Sequence, residues 1–134
     1  MTKLVDIEGI GEKYAQALKG AGIDTAEELL KAGGTAAGRD TIGEKSGLSG
    51  KLVLEWVNHT DLMRIKGVGS EYADLLEAAG VDTVPELAQR NAENLAAKLT
   101  EINEAKNLVD RTPTAGMVED WVAEAKTLPR AVEY

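Results

Sequence analysis

One stretch of this chain is written twice. "IEGIGEKYAQALKGAGIDTAEELLKAG" (residues 7–33) aligns without a gap on "IKGVGSEYADLLEAAGVDTVPELAQRN" (residues 65–91), with 12 identities in 27 positions. A segment that recurs at a fixed offset marks a duplicated structural unit, which confines the fold to architectures made from two copies of one supersecondary element. The match resumes at "LEWV" (54–57) and "EDWV" (119–122), but the offset has grown from 58 to 65 residues. The second copy therefore carries an insertion between Asn91 and Met117. "NLVDRTPTAG" (107–116), with Pro113 and Gly116, reads as the lengthened loop.

Each copy reads as a string of short helices. Gly9 and Gly11, and Gly67 and Gly69, flank one aliphatic residue each, and glycines this close interrupt a helix and permit positive φ or a tight backbone approach. On that reading Gly69→Val destabilises the protein. The stretch 12–21 then places Tyr14, Ala15, Leu18 and Ala21 on one helical face, as 70–79 places Tyr72, Ala73, Leu76 and Ala79. Gly22 and Gly80 stand where glycine ends a helix. Thr25 and Thr83 follow as N-caps, with Glu28 and Glu86 three residues on to complete capping boxes, and Pro85 fits a first helical turn. "TAAGRDTIGEKS" is a weak helix ended by Gly47, and "LSGKLVLEWVNHT" starts at a Ser49 cap and buries Val53, Trp56 and Val57. "AENLAAKLTEINEAKNLV" predicts a helix carrying Leu95, Leu99, Ile102 and Leu108, and "TAGMVEDWVAEAKTL" another around Trp121 and Val122. No stretch alternates with period 2. The expected architecture is all-α, with a first repeat over residues 1–61 and a second over 62–134. The repeats are related by a pseudo-two-fold and fold as one unit, because each alone buries too little.

Charge and composition narrow the function classes. The net charge is −8, and both halves share the acidic excess. Its average field opposes a polyanion, whereas nucleic-acid binders draw their sequence-independent affinity from a basic face. Without cysteine there is neither disulfide nor thiolate chemistry, and one histidine, His59, rules out a His-rich metal site. No apolar run reaches the length of a membrane span, and the opening "MTKLVDIEGIGEKY" has no apolar core of a secretory signal, so a cytoplasmic site of action is expected.

The paired "IEGIGEKYA" and "IKGVGSEYA" resemble the helix-hairpin-helix motif, and "KSGLSGKL" (45–52) resembles a degenerate third hairpin. The wider chain, above all residues 47–91, is similar to the bacterial domain-of-unknown-function family 4332, over nearly all of residues 5–128. That family implies a fold and no settled activity. Nucleic-acid-binding helix-hairpin-helix proteins turn the hairpin amides onto a phosphate oxygen. The resemblance places those donors at Gly9, Ile10 and Gly11 and at Gly67, Val68 and Gly69. The second hairpin follows Arg64 and Lys66 and precedes Glu71, with Arg90 and Arg111 further along; the first lies between Glu8 and Glu12, with only Lys13 positive.

Other residues read as structure. Trp56 and Trp121 sit at equivalent places on apolar faces, where core packing outweighs base stacking. Tyr14 and Tyr72 seal hairpin to helix, so that Tyr14, Leu18, Trp56, Tyr72, Leu76 and Trp121 form the expected structural core. His59 reads as a solvated or capping residue near a helix end, and Tyr134 as mobile. The glycine-rich "GIGEKYAQALKGAG" is neither a phosphate-binding loop of the Gly-Lys-Ser/Thr type nor a dinucleotide fingerprint. No catalytic constellation, cofactor motif or metal-ligand spacing is seen. The leading expectation is a non-enzymatic interaction or assembly module that docks on a protein or on itself. Non-sequence-specific DNA binding through the second hairpin is the alternative, and a small-ligand binder or enzyme the third.

Overall fold

Local signals for starting and stopping a helix decide where the elements fall. The structure, a computed structural model, describes residues 2–7 and 9–134, so Glu8 of the first hairpin lies outside the described residues. After a 3-10 turn over Leu4–Asp6, the helices are α1 (Glu12–Gly20), α2 (Ala26–Gly33), α3 (Ala36–Ser46), α4 (Gly50–Leu62), α5 (Ser70–Ala78), α6 (Val84–Ala88), α7 (Ala92–Lys106) and α8 (Ala115–Ala125). The fold is all-α: among the described residues the sole extended pairing is an isolated bridge between Lys3 and Thr25. Thr25, Thr35, Asn91 and Thr114 each accept the amide three residues on, at 3.2, 3.0, 2.9 and 3.1 Å, and Ser49 accepts that of Leu52 at 3.2 Å. Each such bond satisfies an amide that the helix leaves without a partner.

The ends of α1 and α5 are Schellman endings. Gly22 takes φ +86° and its N–H donates to Lys19 O, while Ile23 N–H reaches back to Leu18 O. Gly80, at φ +90°, and Val81 make the corresponding bonds to Glu77 and Leu76. The pattern requires a residue in the left-handed region, which glycine enters without steric cost.

Two sequence expectations need correction at helix ends. Thr83 does not accept the Glu86 amide; its hydroxyl donates to Glu86 Oε1 at 3.2 Å, and Glu86 Oε2 takes the Asp82 N–H instead. Partial burial, and then the neighbouring Glu86 charge, push the Asp82 carboxyl up. The helix expected to run through Leu108 stops at Lys106, because Asn107 adopts φ +50° and ends it. Asparagine tolerates this conformation better than other side chains.

The chain divides into two compact units, one of residues 1–61 with 131–134, the other of residues 62–130. In the first, α2 and α1 pack on α3, around Leu18, Ile23, Leu29, Ile42, Val53 and Val57, all buried. The Thr2 N–H donates to the Glu27 carboxylate at 2.8 Å and holds that carboxyl below its ordinary range. Residues 131–134, assigned by sequence to the second repeat, pack in the first unit. Val132 is buried, the Glu133 N–H donates to Gly34 O at 2.7 Å, and the Tyr134 hydroxyl lies 3.4 Å from Asn58 Oδ1. Tyr134, expected to be mobile, is 66 % exposed. His59 is not a solvated cap: it lies inside α4 and is 3 % exposed.

In the second unit, α6 and α7 pack on α8 and α5 packs on α7. Leu76, Leu87, Leu95, Leu99, Val118 and Trp121 lie in one continuous apolar cluster, with Ile102 and Leu108 at its margin. Eight residues connect α7 to α8, against three between α3 and α4. Asn103 organises this longer connection, accepting the Val109 N–H at 2.9 Å and donating to Val109 O and to the Thr112 hydroxyl.

Candidate functional site

The hairpins are the place where sequence and resemblance both locate a site. Each is a four-residue turn closed by one hydrogen bond: Ile10 N–H donates to Ile7 O, and Val68 N–H to Ile65 O, both at 3.0 Å. Gly9 and Gly67 occupy the third position with φ +89°, the position where a type II turn demands a residue of positive φ. The aliphatic flanks Ile7, Ile10, Ile65 and Val68 are buried, which anchors the turn into its unit. The second glycines differ from the expectation. Gly11 and Gly69 are N-caps of α1 and α5 with ordinary extended backbone, and a Cβ at either would meet nothing within 4 Å. Only the first glycine of each pair is conformationally required.

An indole covers each turn. A Cβ on Gly67 would come 3.4 Å from Trp121 Nε1, and one on Gly9 would come 3.8 Å from Trp56 Nε1. The tyrosine at the start of the next helix leans on the same indole. Tyr14 and Trp56 have ring centroids 5.1 Å apart at 58°, and Tyr72 and Trp121 lie 5.3 Å apart at 53°, tilted geometries that aromatic quadrupoles favour. Leu18, Leu76, Trp56 and Trp121 are core residues. The tyrosines are not fully so: Tyr14 is 38 % exposed and Tyr72 half-buried, each in the first turn of its helix.

The donor set inferred from the resemblance shrinks once these bonds are drawn. The Ile10 and Val68 amides point into their own turns and are not available to a phosphate. Gly9, Gly11, Gly67 and Gly69 remain as backbone donors, and neither α1 nor α5 has a side-chain cap from its N-cap residue. Of the cations, Arg64 is half-buried and donates through Nη2 to Pro129 O at 2.7 Å. Lys66 has an exposed side chain, but its N–H donates to Glu124 Oε1 at 3.1 Å. Arg90 belongs to the turn after α6, its N–H on Leu87 O. Arg111 does come to the hairpin. Its carbonyl accepts the Tyr72 hydroxyl at 3.0 Å, and it lines a groove of about 440 Å³ with Gly67, Gly69, Glu71 and Asp110. This groove was not foreseen from the sequence, although the inserted loop and the Tyr72 hydroxyl were the signals for it.

The Tyr72–Arg111 bond is the tie between hairpin and loop. Tyr72→Phe is expected to lower stability by about 1 kcal/mol, the usual net worth of one hydrogen bond. It should also speed amide exchange in residues 108–112, which hydrogen-exchange mass spectrometry would detect; unchanged exchange would mean that Asn103 alone holds the loop.

The family model described as "Domain of unknown function (DUF4332)" matches residues 8–128, both hairpins and all eight helices in whole or nearly so. The chain belongs to that family. No curated protein and no solved structure gave a match. Among the described residues no helix is long and apolar enough to cross a membrane, and no three potential ligands gather as a metal site.

Proposed function

We propose that this DUF4332 chain is a non-enzymatic interaction module, a rigid helical scaffold that docks on protein, including further copies of itself, rather than on nucleic acid. The observation that carries this reading is the Glu124 carboxylate, 3.1 Å from the Lys66 amide at the hairpin preceded by Arg64 and Lys66. A phosphate approaching that hairpin meets a fixed negative charge, and the Val68 amide that would receive it is already spent on Ile65. Arg64 is held by a carbonyl on the same unit. The overall charge of −8 adds a repulsive field of the same sign.

The discriminating experiment is fluorescence anisotropy of labelled single- and double-stranded DNA against the intact chain, at low and at physiological salt. No binding is expected at either. Binding that weakens steeply with salt would overturn the proposal, since counterion release is the signature of phosphate contact. Lys66→Glu would then locate it, because that side chain is exposed and its replacement is expected to leave the fold intact.

A further inference from the structure

The first unit contains a trough that is already filled, and its construction has the features of a recognition site for extended chain. Residues 131–134 lie in it without helical structure. They are held by main-chain bonds on both sides: Glu133 N–H to Gly34 O at 2.7 Å, and Arg39 Nη2 to Glu133 O at 2.6 Å. Arg39 is itself 6 % exposed, and its Nη1 donates to Gly33 O at 2.9 Å, so the guanidinium is fixed before it meets the segment. One side chain, Val132, is buried at 1 % exposure. Gly34 is required by the occupant and not by its own dihedral angles: a Cβ there would stand 2.6 Å from Ala131 O, closer than atoms approach. A buried cation, a glycine cleared for close passage and one apolar socket are the elements with which proteins read a non-helical peptide segment. Main-chain bonds supply affinity and a side-chain pocket supplies selectivity.

We infer that this trough is a peptide-docking groove, occupied in cis by Ala131–Tyr134, and that its partner in trans is the same segment of a second copy of the chain. This rests on the interaction reading above and assigns a surface to it. The occupant follows from what is seated there: every copy carries a segment already complementary to the trough, and exchange of identical elements is a low-cost route to association. The segment in its own chain competes intramolecularly, so the cis state dominates in the intact chain and trans docking is seen when that advantage is removed.

The test uses a fluorescent peptide of residues 129–134 and three full-length chains. Glu133→Pro removes the N–H that Gly34 accepts and leaves the trough untouched; Val132→Asp expels the apolar side chain. Both, checked for a cooperative thermal melt, should bind the peptide at least about tenfold more tightly than the wild type, because less of the trough is masked. A peptide carrying Val132→Asp should not bind. Folded variants that fail to take up the peptide overturn the inference. Should neither variant fold, the intact chain decides: millimolar peptide should move the Gly34 and Arg39 NMR resonances, and unmoved resonances overturn it. Failure here without DNA binding sinks this groove alone, whereas DNA binding sinks the interaction reading itself.

Discussion

Replacing Gly67 with valine is expected to cost about 3 kcal/mol or more, enough to unfold a large share of the protein under mild denaturant. Two effects add. At φ +89° a β-branched residue is pressed into a region that sterics close to it, and the turn cannot change hand without breaking the Val68–Ile65 hydrogen bond. The new side chain also starts 3.4 Å from Trp121 Nε1, beneath an indole that is buried and cannot retreat. The internal control is Gly69→Val, two residues on. There φ is −90°, the backbone is extended and a Cβ meets nothing within 4 Å, so the cost should stay below about 1 kcal/mol, mainly that of a poorer N-cap. Urea unfolding of the two variants side by side is the measurement. Equal losses would show that the hairpin tolerates either residue and that its geometry is misassigned.

Removing the indole should be as severe. Trp121→Ala is expected to lose about 3–5 kcal/mol, the range for deleting a large aromatic from a core. The side chain lies between the Gly67 turn and the Tyr72 ring, and its loss opens a cavity that neither neighbour can fill. Far-UV circular dichroism in urea follows the unfolding, since the remaining Trp56 lies in the other unit. The experiment separates a core tryptophan from one that waits for a stacked base: the latter comes off with little change in stability. A loss under about 1 kcal/mol would contradict the packing described here.

How much of this was legible beforehand depends on the range of the interaction. The Schellman glycines, the Thr25 and Ser49 caps and the break at Gly47 all act within five residues, and local pattern finds them. The indole over the hairpin was half legible: periodicity placed Trp121 inward, but nothing local told that its ring nitrogen lies against a glycine 54 positions earlier. The Gly-x-Gly pair looked like one feature and is two, because dihedral angles and not residue type separate Gly67 from Gly69. The consumed Val68 amide and the Glu124 carboxylate were invisible, since both depend on which turn forms and which helix passes beside it. His59 misled because a polar residue near a helix end is usually solvated, and here α4 continues inward to Leu62.

The bond from Arg39 to Glu133 spans 94 positions of sequence, and this sets a timetable during synthesis. The ribosome delivers residues 1–61 first, then all of the second unit, and only afterwards the segment that fills the first unit's trough. At ordinary elongation rates that interval is on the order of several seconds. Throughout it the Val132 socket and the Arg39 guanidinium stand without their cis occupant. The nascent chain therefore passes through a stage in which its first-made half is the last to be finished.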